Sequence, residues 1–520
     1  MAGVVKMPEK VLRKLNTSIL PQWKICFISA LLAGLFAHFY KITNWLPNWD
    51  SLVFRYDAQN MLALGRWFLP VACSFSSFYD LPFLNGLIAI LFHALSGVYI
   101  CRILNVQKKI TAFLIGAVIV SFPTVTSVMM YNYVADGYAV AFLLSTLAAY
   151  FMTKEKFTLS SVLIALSAGI YQAYITVTIM LVLLKLIDEI IYEHKGFGTI
   201  LKKSVFMLLT GIAGVVIYSV VLKLLLWIFP TELLDYQGIN QSASLSNINL
   251  YGSLYSIKET FTDCFFDLSE GVNVYVVLNA MVLLFTLAHY IKYIIKNRIY
   301  KKPVNILMIG VLGVMLVVGA GALAFINAGI DYHNLMLMGY SVFYLFFIIL
   351  YERGTDTNEK HLLFKCWSIL LISSAIIVNQ IVIANVSYHK AQIAYEKSYG
   401  VLIRIADRIE QTEGAEKCDK ILVLGALENS YSYSVNLTPD ITGITDGYII
   451  RADDETVKQS VLCAALNDYC EKDYAFVYGQ EKKAFAEKDI VKAMDVWPSK
   501  DCISVIDNTV VVKLGTGGEN

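Results

Sequence analysis

Long apolar runs alternate with short polar connections over the first 386 residues of the chain. Each run is close to the roughly 20 residues that an α-helix needs to cross about 30 Å of hydrocarbon. The pattern therefore predicts eleven membrane-spanning helices. They lie near residues 24–41, 82–101, 110–128, 137–152, 157–171, 173–190, 204–229, 272–291, 304–326, 335–351 and 366–386.

From about residue 387 the pattern changes to that of a soluble domain. Its predicted elements are an amphipathic helix over 390–411, a buried strand over 420–427, helices over 455–469 and 480–494, and a hairpin over 502–514 that turns at Asp507–Asn508. We therefore predict a transmembrane domain over residues 1–386 and a small α/β domain over residues 387–520.

The composition agrees with this division. The 520 residues are 57% hydrophobic and 16% charged, with a mean hydropathy of +0.59, whereas a soluble domain carries about a quarter charged residues. The chain is thus predicted to be a polytopic α-helical membrane protein. Its net charge of +1 does not indicate a class of partner, because the charges are segregated by connection, and no stretch resembles a nucleic-acid-binding surface. The first apolar run begins near Trp23 and more spans follow it, so we expect an anchor and not a cleaved signal peptide.

Lysine and arginine cluster in alternate connections, which predicts the orientation. The basic connections, expected in the cytoplasm, are the N-terminus and the stretches near 102–109, 154–156, 195–203 and 292–302. The opposite side would receive the loop 42–81, the turns at 131–137 and 171–172, the loop 230–271 and the C-terminal domain. One alternative stays open: a single long broken helix over 157–190 would move the C-terminal domain to the cytoplasm.

Four of the nine cysteines, Cys418, Cys463, Cys470 and Cys502, lie in the C-terminal part. In an oxidising compartment they have three possible pairings, among which the sequence does not choose. The cysteine and histidine spacings indicate no zinc site, so no metal ligand is assigned.

The loop 42–81 carries more polar chemistry than a connection needs. Asp50 and Asp57 are seven residues apart, which in a helix places them on one face. Carboxylates at the membrane surface are suited to act as a general base toward a sugar hydroxyl, or to hold a divalent cation such as Mg²⁺ or Mn²⁺. The alternative is a solvated loop with ordinary charges. No cofactor is indicated with certainty.

Arg66 and Trp67 follow in the same loop, within a Gly-Arg-Trp triplet. A guanidinium offers planar, bidentate donors to a lipid-linked phosphate. Arg66 is equally compatible with pairing to Asp57 or reaching lipid head groups. An aromatic ring such as that of Trp67 suits a sugar face, although a membrane-interface position is its commoner role.

Further polar candidates stand where predicted spans meet. Asp136 lies in the turn Tyr131–Gly137. An acid at this depth of a membrane protein indicates a functional residue, but aspartate is also a favoured N-cap for the helix that is expected to begin at Gly137. Tyr171 and Gln172 interrupt an apolar stretch, where a glutamine binds either a ligand hydroxyl or a neighbouring helix. His333 lies in a polar cluster at a later helix end and is a weaker candidate, since a lone histidine is more often structural.

The order of these motifs resembles the Gtr-type bacterial glucosyltransferases, the phage-encoded O-antigen serotype-converting enzymes and their bacterial relatives. The resemblance is carried by Asp50 after the first span, Gly65–Trp67, the YNYVAD turn at 131–136 and GIYQAY at 169–174, in that order. It extends into the helix near 390–411 and the hairpin after Trp497–Pro498, so it covers most of the chain.

The resemblance implies a GT-C-like fold in the bacterial cytoplasmic membrane. Its members take glucose from a polyprenyl-phosphate donor on the outer face and attach it to a surface polysaccharide such as O-antigen. It further implies that Asp50 is the base and Asp57 its support, that Arg66 binds the donor phosphate, and that Asp136, Tyr171 and Gln172 line the sugar pocket. A single displacement at the anomeric carbon would invert its configuration.

Two other functions remain as alternatives. A polysaccharide-precursor transporter or flippase would show internal repeats and midplane charges, whereas here the ionisable residues gather at one membrane face. A non-catalytic scaffold in envelope assembly would use the C-terminal domain for binding and would tolerate mutation of every carboxylate named above.

Overall fold

A computed structural model describes residues 19–53, 61–234, 249–268, 271–325, 332–353, 359–425, 462, 464–468 and 473–515. Asp57, Cys463 and Cys470 lie outside the described residues, and so does the loop segment 235–248.

Most of the described chain is helical. The helices are Pro21–Thr43 (α1), Trp49–Val53 (α2), Leu69–Ala72 (α3), Pro82–Ile103 (α4), Lys109–Ser121 (α5), Pro123–Met130 (α6), Asn132–Thr153 (α7), Phe157–Ile170 (α8), Ile175–Ile191 (α9), Phe197–Ile228 (α10), Leu250–Phe266 (α11), Val274–Lys296 (α12), Pro303–Ala320 (α13), Val342–Ile348 (α14), Glu359–Gln411 (α15), Gly479–Ala486 (α16) and Asp489–Ala493 (α17).

Within the described residues, seven helices are long and apolar enough to cross a membrane: α1, α4, α7, α10, α12, α13 and α15. The bent pair α5 and α6 would make an eighth, because proline at position 123 interrupts the helical hydrogen bonds and the two axes meet at 40°. Helix α8 has only 14 residues and α9 only 17. The prediction of a polytopic helical membrane protein is confirmed, whereas the count of eleven spans stays a prediction.

Close helix packing depends on small residues, as is usual inside membranes. Gly116 of α5 lies so near α1 that a Cβ atom there would be 2.2 Å from the Cys26 carbonyl oxygen. Gly34 of α1 approaches Ile90 of α4 in the same way. Helices α1, α4 and α5 therefore form a tight group beneath the loop 42–81.

Several predicted basic connections meet at one end of the bundle. Arg353 binds the buried Asp188 carboxylate through two bonds of 2.8 and 2.9 Å, and it also donates to the Leu104 carbonyl at 2.6 Å. Glu189 pairs with Lys203 at 2.7 Å. We call this the basic end and the other, near Asp50, the loop end. Helices α8 and α9 are separate, because Tyr171 between them has an extended backbone with φ of −157° and ψ of 117°. Tyr171 lies at the loop end and Asp188 at the basic end, so α9 runs from one end to the other.

The C-terminal domain rests on the last helix. Helix α15 has 53 residues and passes without a break through the predicted domain boundary at 386/387. The strands are Lys420–Leu424 (β1), Ala475–Phe476 (β2), Ile503–Ile506 (β3) and Thr509–Lys513 (β4). Their order is β2-β1-β4-β3, with β3 and β4 antiparallel and the other pairs parallel.

The predicted hairpin is present as expected. Asp507 and Asn508 form its turn with φ of 47° and 56°, which matches the twist of the flanking strands. Cys418 and Cys502 carry free thiols, so neither is paired in the structure.

The sheet and the end of α15 share a hydrophobic core with the loop 42–81. Leu52 of α2 is 3% exposed within this second core, beside Leu402 and Ile405 of α15. Trp45 packs edge-on against Tyr395, with ring centres 6.2 Å apart. The C-terminal domain therefore lies at the loop end, in contact with the helix that carries Asp50.

Candidate active site

Asp50 sits on the short helix α2. The Asn48 side chain caps this helix by accepting a 2.9 Å bond from the Ser51 backbone N–H. Asp50 is partly exposed, and the Tyr133 hydroxyl donates to its carboxylate. Burial raises the pKa of Asp50 to about 6, while the neighbouring Arg66 and the Tyr133 bond act in the opposite direction. A carboxylate with a pKa of about 6 is suited to exchange a proton near neutral pH.

Arg66 is held against aromatic rings. Its Nη1 donates to the Tyr138 hydroxyl at 3.2 Å, and its guanidinium carbon lies 4.9 Å from the centre of the Tyr171 ring. Tyr138 and Tyr171 stack with centres 4.7 Å apart. These contacts hold the guanidinium plane in one orientation, and the charge of Arg66 acts on the Asp50 carboxylate.

Trp67 and Gln172 lie together on the same side of the loop. The Gln172 amide donates to the Tyr218 hydroxyl at 2.9 Å, and that hydroxyl donates to the Gly65 carbonyl oxygen at 3.1 Å. Trp67 stacks on Tyr218 and packs directly on Gly169, where a Cβ atom would be 2.7 Å from the indole ring. The GRW and GIYQAY motifs are thus joined in space.

The two motifs are also joined through the backbone. The Phe68 N–H donates to the Gly169 carbonyl oxygen at 2.7 Å. Gly65 has φ of +71°, a backbone region that glycine adopts without strain. The loop therefore turns back onto the end of α8 at a defined position.

Asp136 occupies a different polar pocket. It is fully buried, and its Oδ1 accepts from the Gly137 backbone N–H at 2.9 Å and from Asn85 at 3.5 Å. Ser76 lies beside it. Helix α7 begins at Asn132 and not at Gly137, so the N-cap interpretation of Asp136 is wrong: the residue is already inside the first turns of the helix.

A family model described as Glucosyl transferase GtrII matches residues 39–351. The chain belongs to the GtrII glucosyltransferase family. Searches of curated proteins and of solved structures found no match. The matched range contains Asp50, Arg66, Asp136 and Gln172 and confirms the expected Gtr-type family. It ends before α15, so the extension of the resemblance into residues 390–514 stays a prediction.

His333 of this GtrII protein is partly exposed and precedes the single turn Asn334–Met336, which packs against α6. Its role stays a prediction. Asp57, the other acid proposed for the loop, lies outside the described residues. Within the part that is described, no group of three or more histidine, cysteine or acidic side chains is placed to hold a metal ion.

Sequence reasoning missed three tyrosines of the GtrII site: Tyr133, Tyr138 and Tyr218. Tyr133 lies within the turn 131–137 and Tyr138 directly follows it, although nothing in their spacing singled them out. Tyr218 interrupts the apolar run of α10. Thr210 and Ser219 carry hydroxyls in the same run, so no sequence signal singled out Tyr218.

A second group of polar residues, which the sequence did not single out, attaches the loop 42–81 to the helix bundle. Asp80 is 6% exposed and accepts from the Trp45 indole at 3.3 Å and from the Asn132 amide. Lys41, almost fully buried at the end of α1, donates to the Leu46 carbonyl oxygen at 3.0 Å. Asn132 adjoins Tyr133, so this group holds the partner of Asp50 in place.

Proposed function

We propose that this GtrII family member transfers glucose, or a similar hexose, from a polyprenyl-phosphate donor to a cell-surface polysaccharide such as O-antigen or a wall polymer. The reaction takes place on the outer face of the bacterial cytoplasmic membrane and inverts the anomeric configuration. The observation that carries this proposal is the placement of Asp50 beside Arg66, with Tyr133 binding the carboxylate.

Asp50 acts as the general base. Its carboxylate takes the proton of the acceptor hydroxyl as the hydroxyl oxygen bonds to the anomeric carbon, and the bond from that carbon to the phosphate oxygen breaks. The leaving phosphate keeps the bonding electrons. One displacement of this kind needs one base and inverts the carbon, so no covalent intermediate on a second carboxylate is required.

Arg66 binds the donor phosphate. Its positive charge stabilises the negative charge that grows on the leaving group, and its stacked position means that little reorganisation is needed during the reaction. The contacts to Tyr138 and Tyr171 support this role because they leave the guanidinium plane fixed next to the base.

Trp67, Tyr171 and Gln172 bind the hexose in this proposal, and Asp136 binds a further sugar hydroxyl from the separate polar pocket that it occupies. One buried polar group of this set supports a ligand here: Trp67 Nε1 has no hydrogen-bond partner among the described residues. Buried groups of this kind are normally satisfied, and a polar substrate would satisfy them.

An apolar cavity of about 280 Å³ supports the lipid character of the donor. It lies between α9, α11, α12, α13 and α14, and Phe265, Leu283 and Leu316 are among its lining residues. Helices α12 and α13 expose large apolar side chains such as Leu284 and Leu307 to the surroundings. The cavity extends toward the basic end, because Ile187 and Ile191, which lie on either side of Asp188 in α9, also line it. We assign it to the isoprenoid chain of the donor.

The proposed orientation in the membrane follows from the lysines and arginines of the basic end. Lysines and arginines of short connections face the cytoplasm in most membrane proteins. With the basic end inside, Asp50 and the C-terminal domain lie outside, where a surface polysaccharide is accessible.

The test uses membranes that contain the full chain. Transfer of labelled glucose from polyprenyl-phosphate glucose to an acceptor polysaccharide is expected from the unaltered protein and is lost in Asp50→Asn. The control is Asp489→Asn, an exposed acid on α17, with insertion and thermal stability measured for both variants. Full transfer by Asp50→Asn would show that Asp50 is not the general base. Translocation of the lipid-linked sugar in liposomes without acceptor, and no transfer, would favour the transporter.

A further inference from the structure

A second cavity lies at the basic end, away from Asp50. Its volume is about 230 Å³, and it is enclosed by the start of α1, the end of α4 and the end of α7. Trp23, Arg102, Gln107, Tyr150 and Lys154 are among its lining residues. The function proposed above makes no use of it.

Arg102 is held in this cavity by aromatic rings. Its guanidinium carbon lies 4.9 Å from the ring centre of Trp23, 5.0 Å from that of Tyr99 and 4.5 Å from that of Tyr150. Its Nη2 donates to the Tyr150 hydroxyl at 2.6 Å. Cation–π contacts hold the guanidinium in one orientation, and the bond to Tyr150 leaves N–H donors on its other nitrogens for an anion.

Lys154 adds a second positive charge. Its ammonium lies 5.8 Å from the Tyr150 ring centre, so both cations contact the same ring. The lining contains no aspartate or glutamate, and within the described residues neither cation pairs with a carboxylate. Two neighbouring charges that have no carboxylate partner among the described residues attract an anion.

Two other basic residues at this end are arranged differently. Arg353 is neutralised by Asp188, and Lys203 by Glu189. The general excess of lysine and arginine on one side of a membrane explains charges in connections, but it does not explain a cavity in which aromatic rings surround an unneutralised guanidinium. The cavity is therefore a distinct feature of this end.

The position of the cavity indicates the source of the anion. It lies where three apolar helices begin or end, which is the depth of the lipid head groups, and Trp23 and Tyr150 are residue types enriched there. Ile19 and Leu20 at its rim are each 42% exposed, an apolar edge suited to acyl chains. Gln22 donates to Gln107 at 3.4 Å and stabilises the same rim.

We propose that Arg102 and Lys154 bind the phosphate of an anionic phospholipid head group at the membrane surface opposite Asp50. The guanidinium supplies directed hydrogen bonds to the phosphate oxygens, Lys154 supplies a second charge, and the acyl chains pass the rim into the bilayer. This site is independent of the transfer reaction, so its test does not depend on activity.

The experiment measures lipid retention by native mass spectrometry. The full chain is purified from bilayers of phosphatidylglycerol or of phosphatidylcholine and is then progressively delipidated. The unaltered protein is expected to retain one phosphatidylglycerol and no phosphatidylcholine. Lys154→Gln and the double variant Arg102→Gln/Lys154→Gln are expected to retain it about tenfold less, because charge-assisted bonds to phosphate are lost.

The matched control is Lys156→Gln. Lys156 is an exposed lysine two residues from Lys154 that does not line the cavity, so its removal lowers the charge of the same connection without altering the site. Equal retention by Lys154→Gln and Lys156→Gln would overturn the proposal in favour of general charge attraction. Displacement of the lipid by millimolar inorganic phosphate would overturn it in favour of a soluble anion. Unchanged melting in phosphatidylcholine shows that the variants remain folded.

Discussion

The guanidinium carbon of Arg66 lies 4.9 Å from the centre of the Tyr171 ring. Arg66 belongs to the loop after α1, and Tyr171 directly follows α8, so the contact joins two segments that are about a hundred residues apart in the chain. Tyr138 completes the group by stacking on Tyr171 and accepting from Arg66. The cation is fixed by rings before any substrate arrives, which is the basis of the first prediction.

Arg66→Lys is expected to raise the donor KM about tenfold or more. Lysine keeps the charge, but it loses both the planar donors and the stacking on Tyr171, and a cation–π contact alone contributes about 0.5–2 kcal/mol. The measurement is transfer rate against donor concentration. The control is Arg404→Lys, which changes an arginine that packs on Trp497 in the C-terminal domain. A similar KM for the Arg66 and Arg404 variants would contradict the phosphate role.

Transfer is expected to slow as the pH falls through about 6. Burial raises the pKa of Asp50 to about 6, so the carboxylate is ionised and active as a base above that pH, and is protonated and inactive below it. Tyr133→Phe removes a hydrogen bond that favours the ionised form, so the midpoint of the rate profile should move to higher pH. A profile that is flat across this range, or a midpoint that moves down in Tyr133→Phe, would exclude Asp50 as the base.

Leu52→Ala is expected to lower both stability and the rate of transfer. Leu52 is 3% exposed in the second core, where truncation of leucine to alanine costs about 2–5 kcal/mol, and it lies two residues from Asp50 on the same short helix. Leu422→Ala is the control, because Leu422 is equally buried on the other face of the sheet. Both variants should melt earlier, and only Leu52→Ala should also lower kcat. If the two variants have the same kcat, packing against the C-terminal domain does not help to position Asp50.

Filling the apolar cavity is expected to weaken use of a lipid-linked donor. Gly313 lines the cavity and has no atom within 4 Å of an added Cβ, so Gly313→Phe places a ring there without a backbone clash. The donor KM should rise, while a water-soluble donor analogue with a short chain should be affected less. Gly310, one turn away on α13, is equally open and does not line the cavity. If Gly310→Phe has the same effect, the cavity does not hold the chain.

The sequence alone determined the features that depend on neighbouring residues. Apolar runs of sufficient length predict membrane helices because the bilayer thickness sets that length, and Asp507–Asn508 predicts the hairpin because those residues tolerate positive φ. The order of GRW, YNYVAD and GIYQAY indicated the family that the match over residues 39–351 confirms.

Only the tertiary structure decided which polar groups meet. The Arg66–Tyr138 bond spans 72 residues of sequence and the Gln172–Tyr218 bond spans 46, and no local period encodes such pairs. The same holds for Leu52, because the pattern of the loop 42–81 does not indicate that this residue packs in the core of the C-terminal domain. Helix lengths follow from local hydrophobicity, whereas the partners of a buried hydroxyl or guanidinium follow from how the helices pack, and that packing places Asp50 beside Arg66.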